Sequence, residues 1–157
     1  VAVRSVKSGS QKPVLDSMAF EPAPDGGRTM MGVSPQMMVD KLSGLGICAI
    51  GFNCGTLDMD GYIALAGQFA LALKGKDILL LAEPNAGRPQ LQGDTAVYTL
   101  SPQDYAEAMK KIRQASAAVL GGCCGTSPRH LAAGAKILGG CCGVTPEHIA
   151  KTTKKTK

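Results

Sequence analysis

Two adjacent cysteines, Cys123 and Cys124, lie in the run Leu120-Gly121-Gly122-Cys123-Cys124-Gly125-Thr126-Ser127-Pro128. Thiolates are soft ligands suited to zinc, and glycines on both sides remove Cβ bulk, so the backbone can turn both sulfurs toward one point. Ser127-Pro128 then offers an N-cap and a first helical residue, which predicts a strand, a tight thiol-bearing turn and a helix. A third cysteine, Cys54 in Gly51-Phe52-Asn53-Cys54-Gly55, also follows an apolar run. Three thiols could therefore converge from the ends of two strands. Three protein ligands leave a tetrahedral zinc one open position, the mark of a catalytic rather than a closed structural site.

The elements that must position these thiols can be read from the pattern. Strands are predicted to start near 14, 47, 77 and 117: Val14–Phe20, Ile47–Phe52, Asp77–Ala82 and Ala117–Leu120. Helices are predicted from Ser34-Pro35 with Met37, Met38, Leu42 and Leu45 inward, from about Met59 to Leu73 with Tyr62, Leu65 and Phe69 inward, and from Ser101-Pro102 with Tyr105, Ala108, Met109 and Ile112 inward. The spacing is that of βα repeats on a parallel sheet, and the third strand lacks alternation, as expected of a strand buried on both faces. Glu21–Gly32 and the stretch after Gly87 are expected as long loops. Cys48, inside the second strand, is expected as a small buried hydrophobe.

The 157 residues suffice for one domain with a real core but not for a complete eight-stranded barrel, which takes about 250. Net charge is +5, yet Lys151, Lys154, Lys155 and Lys157 supply four of it, so residues 1–150 carry +1 and a nucleic-acid surface is poorly supported. No apolar run approaches the length of a membrane span, and the default expectation is a cytoplasmic protein with no membrane partner. Six cysteines, four of them in two adjacent pairs, fit metal-binding thiols in a reducing compartment better than a disulfide framework.

One internal repeat is close. Val119–Leu131 recurs as Ile137–Ile149, with a second Gly-Gly-Cys141-Cys142-Gly, a second Pro and His148 in place of His130. The chain divides into 1–135, the repeated motif 136–150 and a basic tail 151–157.

Taken together, Ser17-Met18-Ala19-Phe20, Gly27-Arg28-Thr29-Met30-Met31-Gly32, Gly51-Phe52-Asn53-Cys54, Pro84-Asn85-Ala86-Gly87 and Gly121-Gly122-Cys123-Cys124-Gly125 resemble the zinc-dependent homocysteine S-methyltransferase family. That family includes betaine-homocysteine methyltransferases and the homocysteine-binding module of cobalamin-dependent methionine synthases. The resemblance implies an α/β fold, roughly strands five to eight of a (β/α)8 barrel, with Cys54, Cys123 and Cys124 as zinc ligands. It implies methyl transfer to the homocysteine thiolate, giving methionine. The donor stays open among betaine, S-methylmethionine and methylcobalamin carried by another domain or protein. Glu21, Asn53 and Asn85 are candidate substrate contacts, and no residue is assigned a covalent or proton-transfer role. Arg28 could meet a carboxylate or serve its own loop, and His130 and His148 suit local roles at helix starts. Uncovered strand edges imply a missing half-barrel or self-association as partner. The alternatives are a non-catalytic zinc or thiol module, with Cys141 and Cys142 completing a closed site, and an inactive fragment.

Overall fold

The computed structural model describes residues 2–131. Helix α1 (Ala2–Gly9) leads into strand β1 (Leu15–Ala23), which turns back through β2 (Gly26–Arg28). Helix α2 (Pro35–Leu42), one 3-10 turn (Ser43–Leu45), β3 (Ala49–Gly55), α3 (Met59–Ala72) and β4 (Leu79–Glu83) follow. A hairpin, β5 (Gln90–Gln92) and β6 (Thr95–Val97), precedes α4 (Pro102–Gln114), β7 (Ala117–Leu120) and α5 (Pro128–Leu131). The five-stranded sheet has the order β2-β1-β3-β4-β7, in which β1, β3, β4 and β7 are mutually parallel and β2 is antiparallel to β1. This is an α/β fold, as the strand-helix alternation predicts. Among the described residues no helix is long and apolar enough to cross a membrane.

The helices start where small polar side chains can take the first free N–H groups. Ser34 accepts from Met37 N at 3.3 Å, Asp58 from Gly61 N at 2.8 Å and Ser101 from Asp104 N at 3.2 Å. Their apolar faces pack on one side of the sheet. Phe20, Ile50, Phe52, Leu80 and Ala82 from the strands meet Tyr62, Leu65 and Phe69 of α3 and Tyr105, Met109 and Ile112 of α4. Phe69 lies edge-on to Phe20 at 5.4 Å, and Phe52 stacks on Tyr62 at 5.7 Å. Strand alternation sends Ala49, Leu81 and Val119 to the other side, where they form a separate small cluster. That side ends in Asn53 and Glu83, paired across β3 and β4 at the C-terminal rim.

Several expectations are corrected. Glu21–Gly32 is not one long loop: β1 continues to Ala23 and hairpins into β2 with Glu21 opposite Arg28. The stretch after Gly87 contains the β5–β6 hairpin, turned at Gly93-Asp94. Met37 is 54% exposed while Met38 and Val39 are buried, because the buried face of α2 runs one step later than the methionine spacing suggested. Cys48 is exposed: it precedes β3 at the N-terminal end of the sheet, its backbone N–H donating to Val14 O and its carbonyl accepting from Leu79 N. Leu79, at the start of the third long strand, is 51% exposed rather than buried on both faces. The repeat from 132 onward and the tail lie outside the described residues.

Candidate metal centre

The C-terminal ends of β3 and β7 bring Cys54, Cys123 and Cys124 together, their sulfurs all within 4.8 Å of one another. Cys54 Sγ is 3.6 Å from Cys124 Sγ, and Cys123 Sγ is 3.9 Å from Cys124 Sγ. Cys54 and Cys123 are joined sulfur to sulfur as a disulfide, and Cys124 is a free thiol. All three sequence-predicted sulfurs thus meet at one point, two of them joined to each other. A disulfide cannot ligate a metal as two thiolates, so the metal-competent form is the reduced one.

Local folding fixes each sulfur. Cys54 has φ 42°, a left-handed conformation rare outside glycine, and so leaves the alternation of its strand. Its carbonyl accepts from the Tyr62 hydroxyl at 2.6 Å, and the carbonyl of Gly55 accepts from Asn85 Nδ2 at 2.7 Å. Gly55 has φ 102°, and a Cβ there would collide with the carbonyl of Phe20, so no other residue fits without moving β1. On the other side the β4–β7 ladder continues past the strands. Gly121 N donates to Ala82 O at 2.9 Å, Cys123 N to Pro84 O at 3.0 Å and Ala86 N to Cys124 O at 2.9 Å. The turn closes through Thr126, whose hydroxyl donates to Cys123 O at 2.6 Å. Gly125, with φ 77°, packs against the Tyr98 side chain.

The other polar candidates separate by environment. Asn85 is 1% exposed, and among the described residues its Oδ1 has no hydrogen-bond partner. Its backbone neighbours carry the bonds to Cys123 and Cys124, so a buried acceptor without a partner sits beside the thiol loop. Such atoms are rare in folded proteins, and one at a cluster of ligand-type side chains is what a bound group would explain. Asn53 is half-buried on the rim next to Glu83. The Glu21 carboxylate accepts from the Thr56 hydroxyl, tying the end of β1 to the loop after Cys54. Arg28 pairs with Asp25 and donates to the Gly32 carbonyl at 2.8 Å, a role within its own loop. His130 likewise serves locally, with Nδ1 2.8 Å from Ser127 Oγ and Nε2 3.1 Å from Leu100 O.

Sequence reasoning missed Tyr62, Tyr105 and Glu83. Both tyrosines were legible only as core residues at helical spacing. Tyr105 donates to Gly121 O at 2.8 Å from the buried side, as Tyr62 does to Cys54. Burial raises both phenols well above their usual range, so they stay protonated and remain donors. Glu83, whose carboxyl is raised by burial, left no signal beyond its place at a strand end.

A sequence model of the family described as homocysteine S-methyltransferase matches residues 1–136, and matches again over 131–156. Methionine synthase of Mycobacterium leprae is 30% identical over 126 residues, covering 80% of this chain and 10% of that protein. Methionine synthase of Mycobacterium tuberculosis is 29% identical over the same length and shares. The aligned region therefore spans about a tenth of these relatives.

Proposed function

From the premise that the chain belongs to the homocysteine S-methyltransferase family, we propose that reduced Cys54, Cys123 and Cys124 hold a zinc ion at which homocysteine is methylated to methionine. One observation carries this. Ligands at about 2.3 Å from a tetrahedral zinc stand about 3.8 Å apart, and Cys124 Sγ lies 3.6 and 3.9 Å from the other two sulfurs. Zinc would supply one chemical service, the deprotonation of a coordinated thiol at neutral pH.

The chain's residues do the rest. Three thiolates make the set electron-rich, which keeps an added thiolate nucleophilic toward an electrophilic methyl group. Tyr62 and Tyr105 hold the two thiol-bearing turns from the core, so the sulfurs do not depend on loop order alone. Among the described residues the Asn85 carboxamide oxygen faces no donor, which makes it the best-placed acceptor for a polar group of the substrate. Asn53 is a second candidate contact on the rim. Glu21, engaged by Thr56, contacts substrate only if that bond opens.

We read the four parallel strands as strands five to eight of a (β/α)8 barrel, since barrel chemistry lies at the C-terminal strand ends, where these thiols are. The remaining strands then come from elsewhere in a longer protein or from self-association. Residues 1–135 are assigned to the barrel half, 136–150 to a repeated motif and 151–157 to a basic tail. The similarity to methionine synthases favours a donor such as methylcobalamin on another domain or protein over free betaine or S-methylmethionine. A cytoplasmic setting, where thiols stay reduced, suits this chemistry.

The test is zinc per purified, reduced chain after dialysis against a mild chelator, with and without homocysteine. The expected result is about one zinc, better retained with homocysteine, and lost in Cys54→Ala. Zinc near zero in the unmodified chain would mean that these residues alone do not build the centre.

A further inference from the structure

Strand β4 lies between β3 and β7, the two strands whose ends carry the thiols. Its last residue, Glu83, therefore stands between them: it pairs with Asn53, the residue before Cys54, and on the other side it packs against Gly121, two residues before Cys123. Strand alternation sends the Glu83 side chain to the sheet face away from the helices, in a row with Ala19, Asn53 and Gly121. Glu83 is the charged member of that row. A Cβ on Gly121 would come 3.0 Å from both Cγ and Oε1 of Glu83, so the bare glycine is what lets the carboxylate lean toward the thiol turn.

The established parts of the site leave this carboxylate unused. Among the described residues the ligand atoms within 4.8 Å of one another are the three sulfurs, so Glu83 neighbours the centre without belonging to it. It is half-buried, and among the described residues neither ion pair involves it. Burial raises its carboxyl above the usual range with no neighbouring group acting against that rise. Three thiolates outweigh the charge of one zinc ion, and a bound homocysteine thiolate adds a fourth, so a carboxylate beside them is repelled unless a cation arrives. Homocysteine brings one, an α-ammonium group three carbons from its sulfur.

We propose that Glu83 receives the α-ammonium group of homocysteine when the substrate sulfur joins the three cysteines, and so selects α-amino thiols over thiols that lack the amino group. This rests on the zinc reading above. An ammonium group has three donors, so Glu83 can share it with the Asn85 oxygen, but only the carboxylate supplies the opposite charge. The preference is asymmetric for a physical reason. A thiol without the amino group leaves the half-buried carboxylate unpaired next to an anionic centre, and a site built around a polar partner rejects the analogue that lacks it.

The experiment uses the reduced full chain loaded with cobalt(II) in place of zinc, whose visible absorption reports an added thiolate. It is titrated with L-homocysteine and with 4-mercaptobutanoate, the same thiol acid without the amino group. The unmodified chain is expected to bind homocysteine at least about tenfold more tightly than the analogue. In Glu83→Gln, homocysteine is expected to weaken about tenfold or more, with the analogue unchanged or tighter, so that most of the preference disappears. Glu83→Asp keeps the charge and is expected to keep part of the preference. All three proteins are expected to hold the same amount of metal.

The proposal is overturned if Glu83→Gln weakens both thiols by the same factor, if it changes neither, or if it loses the metal itself, which would make Glu83 a structural support of the centre. Failure of the zinc reading looks different: the unmodified chain then holds neither cobalt nor zinc, or its absorption responds to neither thiol, and the proposal falls with that reading.

Discussion

On the face of the sheet that the helices cover, Phe20, Phe52, Tyr62 and Phe69 interlock, and every one of them is fully buried. Among the described residues the opposite face has Ala49, Leu81 and Val119 as its buried cluster, with Leu15 47% and Leu79 51% exposed on the same side. The aromatic face stiffens the strands. The thin face leaves the rim residues Asn53 and Glu83 accessible and keeps an apolar surface that a covering element would complete. The thiol centre sits where the two meet, taking its rigidity from one side and its access from the other.

This contrast makes the largest prediction. Phe69→Ala removes a ring that touches both Phe20 and Phe52 and is expected to cost about 3–5 kcal/mol, enough to unfold a marginal domain. Leu81→Ala, on the thin side, is expected to cost about 2 kcal/mol, the low end for such truncations. Urea unfolding of the two variants decides it. Equal costs would show that the second face is covered as firmly as the first.

How far these two faces were legible in the sequence follows from the kind of information each element needs. Helices α3 and α4 announce themselves because a 3.6-residue period and, for α4, a Ser-Pro start are local signals, and all of Tyr105, Ala108, Met109 and Ile112 are buried as their spacing implies. The thiol cluster was legible because glycine-flanked cysteines after apolar runs are a short-range pattern. The β1–β2 and β5–β6 hairpins were not, since polar, proline-containing stretches look like loops until pairing partners are known. Cys48 reads as core by composition, yet one residue's offset from the strand start leaves it exposed. Nothing local could show that Tyr62 and Tyr105 point their hydroxyls at the two thiol turns, because each bond joins a helix to a strand end.

Those hydroxyls offer a finer test of the junction. Tyr62→Phe keeps the ring stacked on Phe52 and removes only the bond to the Cys54 carbonyl. The expected loss is about 1 kcal/mol of stability, with zinc affinity of the reduced chain falling severalfold because Cys54 must be held in its left-handed conformation without that bond. Competition with a metal indicator measures the second effect. A variant that loses stability but binds zinc unchanged would assign Tyr62 to the core alone.

The smallest effect lies on the thin side. Burial raises the Glu83 carboxyl above its usual range, and among the described residues no side-chain hydrogen bond or ion pair offsets that cost. A carboxyl raised in the folded state favours folding while protonated, and that contribution is lost as pH rises through the raised value. At neutral pH the fold therefore holds a partly desolvated charge at a net penalty. Glu83→Gln is expected to leave stability unchanged near pH 4 or below and to raise the melting temperature modestly at pH 7, the gain kept small by water reaching the half-buried group. Thermal unfolding of both proteins across that range checks the sign. A variant less stable at pH 7 would mean that a cation neutralises Glu83 there, and the rim of the thin face would then carry a charge partner of its own.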